Sequence, residues 1–90
     1  MTIKEARAIL DKNNNIADMN NLKFVTAFQK DMMSGEIVYT TIFSNSSYEA
    51  LAWADRKAEM LKKFNVPFMI YQDYHLRESF GILNFERTEE

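Results

Sequence analysis

The chain has 90 residues and a mass of 10.6 kDa, the size of one domain, and area scaling for that mass gives roughly 5,500 Å² folded against roughly 15,400 Å² unfolded. With 47% apolar and 27% charged residues, one ordinary core can form without covalent staples. The absence of Cys, a single His and two Gly exclude disulfide scaffolds, thiol chemistry, Cys-ligated metals, a His-pair metal site and a glycine-rich phosphate loop, while a formal charge of −2 runs against a protein built for nucleic-acid phosphates.

Thr2-Ile3-Lys4-Glu5 has the pattern of a helix capping box. Ile3, Ala6, Ile9 and Leu10 then form one apolar side of a helix of about three turns. Asn13-Asn14-Asn15 is expected to end it, because Asn tolerates the left-handed conformation of a helix C-terminus. Residues 16–21 read as a loop or a short turn that tucks Ile16 and Met19 inward. Residues 22–30 fit two periods, a strand with Leu22, Phe24, Thr26 and Phe28 on one face, or a helix. The strand is favoured, since aromatic and β-branched residues suit a pleated surface and a Ser34-Gly35 turn signal follows. Residues 37–43 are strongly β in character, so a hairpin with its loop around residues 31–35 joins the two strands.

Ser46-Ser47-Tyr48-Glu49 is a second capping pattern, and the helix it opens extends to about Phe64. Leu51, Ala58, Ala54, Leu61 and Ala50 fall within about 100° of arc, continued by Phe64, Trp53 and Met60. Lys57 sits at the seam, where its stem can snorkel outward. Glu59 is spaced to pair with Lys63. Asn65 and Pro67 stop the helix. Residues 68–74 form a third predicted strand, residues 75–78 a turn, and residues 80–87 a fourth strand; residues 88–90 are expected to fray. The order α-β-β-α-β-β predicts a single α+β domain over residues 1–90, a two-layer sandwich with a four-stranded antiparallel sheet and both helices on one face. That layering predicts a second sheet face left partly uncovered.

Few residues suggest catalysis. Asp73 and His75 share a predicted strand face, but a general base also needs a nucleophile or water held within reach, and a surface His beside a turn accounts for the pattern. The carboxylates Asp73, Glu78, Glu86, Glu89 and Glu90 lie at strand ends and in the tail rather than converging, so neither a catalytic pair nor a metal or cofactor site is expected. The aromatics carry more information. Seven Phe, four Tyr and one Trp make 13% of the chain; most are expected in the core and the remainder at a protein-contact surface, since Tyr, Trp, Phe and Met are enriched at the centres of protein interfaces. Tyr39, Trp53, Tyr71 and Tyr74 can each sit half-wet. Met32 and Met33 occupy a predicted hairpin tip, a place usually polar, and methionine adapts to irregular surfaces.

The expected function is therefore a non-enzymatic protein-binding module of inhibitor or adaptor type, occluding or bridging a protein partner, for example a host enzyme, or forming a homodimer. The expected contact residues are Met32, Met33, Tyr39, Trp53, Tyr71, Asp73, Tyr74, Glu78 and Glu86, with the acidic members raising association rates toward a basic partner. Small, cysteine-free, acidic domains of this kind fit the mould of phage or mobile-element accessory proteins. The alternative is a single-stranded nucleic-acid-binding domain that stacks bases on sheet aromatics, for which Lys23, Lys30, Arg56, Lys57, Lys62 and Lys63 would have to gather. No apolar run approaches a transmembrane length and no signal-peptide core opens the chain, so a cytoplasmic location away from membranes is expected.

Overall fold

The computed structural model describes residues 1–87. Helix α1 (Ile3–Asn20) starts as the capping box requires, with the Thr2 hydroxyl accepting from the Glu5 N–H and the Glu5 carboxylate accepting from the Thr2 N–H. It does not stop at the Asn triplet. It runs on to Asn20, and Asn21, at φ 54°, supplies the left-handed cap. Residues 16–20, expected as loop or turn, thus belong to the helix. The reason lies in Asn13, which is buried in the helix interior. Its Nδ2 donates to Thr26 Oγ1 at 3.0 Å and to Thr41 Oγ1 at 2.8 Å, and these two hydroxyls lie 3.0 Å apart. These partners replace the local backbone bonds that usually draw Asn out of helices.

The first two strands, β1 (Lys23–Lys30) and β2 (Ile37–Ser44), form the expected hairpin in unbroken register from Lys23↔Ser44 to Lys30↔Ile37. Its loop is held by Asp31, whose carboxylate accepts from the Met33 N–H and the Ser34 hydroxyl and is thereby held below the usual carboxylate range. Helix α2 (Ser47–Lys63) follows, with Ser46 as its cap. The reciprocal half of this second capping pattern is absent, because the Glu49 carboxylate takes the Ser44 hydroxyl instead. Strands β3 (Phe68–Gln72) and β4 (His75–Phe80) form a tighter hairpin than the sequence suggests. Asp73 takes φ 55° and turns the chain with Tyr74, so residues 75–78, predicted as a turn, become strand. Residues 81–87, predicted as strand, leave the sheet at Gly81 (φ 68°) and return to the start of α1, where the Glu86 N–H donates to the Met1 carbonyl.

The antiparallel sheet has the order β2-β1-β3-β4. β2 and β3 flank β1 and run in the same direction, so α2 is a crossover that spans β1 on one face. Val25, Ala27, Phe68 and Ile70 pack there against Ala50, Ala54, Ala58 and Leu61. Alanines at these spacings bring the helix backbone close to the sheet. Helix α1 lies on the opposite face, against Phe24, Phe28 and Ile37, with Leu83 and Phe85 closing that core. The α+β class and element order are as expected, but the layering is not: the helices cover opposite faces rather than one. The physical reason is strand β1, buried on both sides, whose Phe24-Thr26-Phe28 face is too apolar to remain open. The turns added beyond the Asn triplet bring Ala17 into that core beside Ala6 and Leu10.

Candidate functional site

The nine residues expected at a partner surface do not come together. Trp53 is on α2, packed against that core with the Lys57 ammonium 6.0 Å from its ring centroid. Tyr71 is on the other face, its ring edge-on to Phe28 at 6.0 Å. Asp73 forms the β3–β4 turn, and the Tyr74 hydroxyl donates to Asp11 at 2.8 Å, a bond that raises the phenol's pKa. Glu86 bridges to Thr2 at the chain start. Glu78 lies half-buried on β4, 3.9 Å from Lys62, near the Arg77–Asp55 ion pair. Burial first, then the Asp55 carboxylate, pushes its carboxyl above the usual range, and Glu78 Oε2 has no hydrogen-bond partner among the described residues. Asp73 Oδ1 is directed at the Phe24 N–H, 3.5 Å away, rather than toward a shared site with His75. Glu89 and Glu90 lie outside the described residues.

Met32, Met33 and Tyr39 do belong to one region, the β1–β2 hairpin at one edge of the sheet. Met33 is 98% exposed and Tyr39 49%. Their neighbours Val38 and Phe43, not among the expected contact residues, are 42% and 36% exposed on the same strand. Tyr39 and Phe43 lean inward on Phe28 and Phe24, with ring centroids 6.2 and 6.3 Å apart, and leave their outer edges in solvent.

The hydrogen-bond alternation of the sheet determines what this edge offers. The Asp31 N–H donates to the Glu36 carbonyl, continuing the β1–β2 ladder. The Lys30 N–H donates to the Pro67 carbonyl, and the Asp73 N–H to the Phe24 carbonyl, on the β3 side. Odd-numbered residues of β1 therefore bond toward β2 and even-numbered ones toward β3. In the observed register the odd residues pair with Val38, Thr40, Ile42 and Ser44, which spend their backbone groups on β1. Ile37, Tyr39, Thr41 and Phe43 direct their N–H and C=O groups outward, away from β1. Among the described residues, no strand meets them.

The two edges of the sheet are built differently. β4 carries His75, Arg77 and Glu78 and a register break opposite Ile70 and Tyr71, the devices that keep an edge from pairing further. β2 has no charged residue, no Pro, no Gly and no register break along its length. The signal was present in the sequence as an uncharged, strongly β run. What it lacked was strand order: only once β3 takes the far side of β1 does that run become an edge.

The basic residues divide into separate groups. Arg56, Lys57, Lys62 and Lys63 all lie on α2, where Arg56, Lys62 and Lys63 line a shallow depression with Glu59, Met60 and Phe64, whereas Lys23 and Lys30 lie at opposite ends of β1. Phe24, Phe28 and Phe68 are fully buried beneath the helices, so they form no stacking platform. A groove of about 250 Å³ between α1 and β3 is lined by Ile3, Arg7, Leu10, Met69 and Tyr71, among others. Among the described residues, no helix is long and apolar enough to cross a membrane. No protein family, curated protein or solved structure matches the chain.

Proposed function

We propose that this protein is a non-enzymatic protein-binding module that docks its partner along β2 and acts by occluding or bridging that partner. The observation that carries this reading is the open ladder of Ile37, Tyr39, Thr41 and Phe43, flanked by exposed apolar side chains and free of the charges that guard β4. Main-chain bonds along such an edge supply affinity, and side chains on the two faces supply selectivity. Met32 and Met33, beside the start of the strand, extend the apolar contact with side chains that adapt to their partner's shape.

The test compares affinity capture from the native host by the wild-type chain and by Tyr39→Pro. The substitution removes an outward N–H and leaves the bonds to β1 in place. A partner held by the wild type and by the α2 surface variant Arg56→Glu, but lost with Tyr39→Pro, supports docking at β2. A partner lost only with Arg56→Glu moves the site to α2 and overturns the reading.

A further inference from the structure

We infer that the occupant of the β2 edge is β2 of a second copy of this chain, paired antiparallel about a two-fold axis through Thr41, so that two four-stranded sheets become one. This rests on the docking role of β2 proposed above and names its partner. Antiparallel strands placed side by side are related by a two-fold axis perpendicular to the sheet, which keeps the α1 face of one copy level with the α1 face of the other. Odd-numbered residues must then meet odd-numbered ones, and these are the residues whose backbone groups point outward. Centred on Thr41, the pairing sets Tyr39 opposite Phe43 of the second copy, and Phe43 opposite its Tyr39. The most exposed rings of the sheet thus become two cross-strand aromatic pairs, a favourable combination on a pleated surface. On the other face, Thr40 meets Ile42 of the second copy.

Two observations favour a second copy over an unrelated strand. β2 carries no charge, so self-pairing meets no repulsion within the strand, and the whole chain carries only −2. The same two-fold brings the hairpin tip of one copy near the start of α2 in the other. Met33 (98% exposed) and Tyr48 of the second copy (80% exposed), two apolar side chains that the single chain leaves in water, then lie toward the same end of the seam.

Sedimentation velocity of the full chain, from low micromolar to near-millimolar concentration, tests the inference. Two variants accompany the wild type: Tyr39→Pro, which deletes an outward N–H, and Thr40→Lys, which keeps every backbone bond and places two cations near the axis. The wild type should dimerise, and both variants, with unchanged circular dichroism, should weaken the dimer at least about tenfold. If Tyr39→Pro fails to fold, Thr40→Lys alone decides the outcome. In a mixed-label sample, nuclear Overhauser contacts between the Tyr39 ring of one copy and the Phe43 ring of the other should appear. A wild-type chain that stays monomeric throughout, or a dimer indifferent to the folded variants, overturns the inference. If the wild type is monomeric yet still captures another protein in a Tyr39→Pro-sensitive way, the second copy is refuted while docking at β2 stands. If both signals are missing, both proposals fall.

Discussion

Replacing Asn13 by Ala removes the polar link that fastens α1 to the sheet. Two hydrogen bonds are lost, to Thr26 and Thr41, each worth about 1 kcal/mol net. The two hydroxyls keep their mutual contact at 3.0 Å, so neither is stranded. Against this loss stands a gain of about 0.6 kcal/mol from the better helix propensity of Ala. The hole left beside the fully buried Thr26 adds to the loss, giving a net destabilisation of about 1.5–2.5 kcal/mol. In a domain of this size that lowers the melting temperature by about 8–15 °C. The exposed Asn15→Ala serves as the control, carrying the propensity gain without the bonds, and should stabilise slightly. Urea unfolding of the three proteins measures the difference, with the denaturant slope expected to stay constant. The triple variant Asn13→Leu, Thr26→Val, Thr41→Val exchanges the whole polar cluster for apolar groups of similar shape and should come close to wild type. If Asn13→Ala matches Asn15→Ala, the Asn13 bonds do not hold α1 on the sheet and the account of that face fails.

Further outcomes follow from single positions. Gly81→Ala should destabilise by about 2 kcal/mol, because φ is +68° and the new Cβ would stand 3.2 Å from Pro67 Cβ; Gly35→Ala, at φ +77° in open space, should cost only the backbone strain of about 1 kcal/mol. Thermal unfolding of the two variants checks that order. Glu78 holds its proton to higher pH in the folded chain than in the unfolded one, so the folded state binds more protons from about the ordinary value of 4.5 upward and stability from this group falls as pH rises through that window. Glu78→Gln should remove that fall, seen as a flatter dependence of the urea midpoint on pH; an unchanged slope would show that Glu78 titrates as an ordinary surface carboxylate.

The legible parts of this fold were those where local chemistry agreed with the final packing. Thr2 and Ser46 cap the helices as their sequences suggest, and the alanine stripe of α2 faces the sheet as its spacing requires. The failures came where a distant partner overrode a local preference. Asn13 reads as a terminator until Thr26 and Thr41 are known to be waiting across the core. The β3–β4 turn contains neither Gly nor Pro, and Asp73 adopts the left-handed conformation in their place. Leu83 and Phe85 alternate like a strand but pack on the α1 core after the chain has left the sheet. The candidate site shows the same limit. Met32 and Met33 were visible as apolar residues at a hairpin tip and Tyr39 as an amphipathic ring, but Val38 and Phe43 gained meaning only from strand order, which no local pattern contains.

The most direct examination of the β2 edge is amide hydrogen exchange, residue by residue, at low and at high protein concentration. The Tyr39, Thr41 and Phe43 amides should exchange freely in dilute solution and become protected on concentration, while Val38, Thr40 and Ile42, already bonded to β1, should be protected in both. Free exchange of the three odd-numbered amides at every concentration, in the wild-type chain without any other protein present, would contradict pairing of β2 between copies.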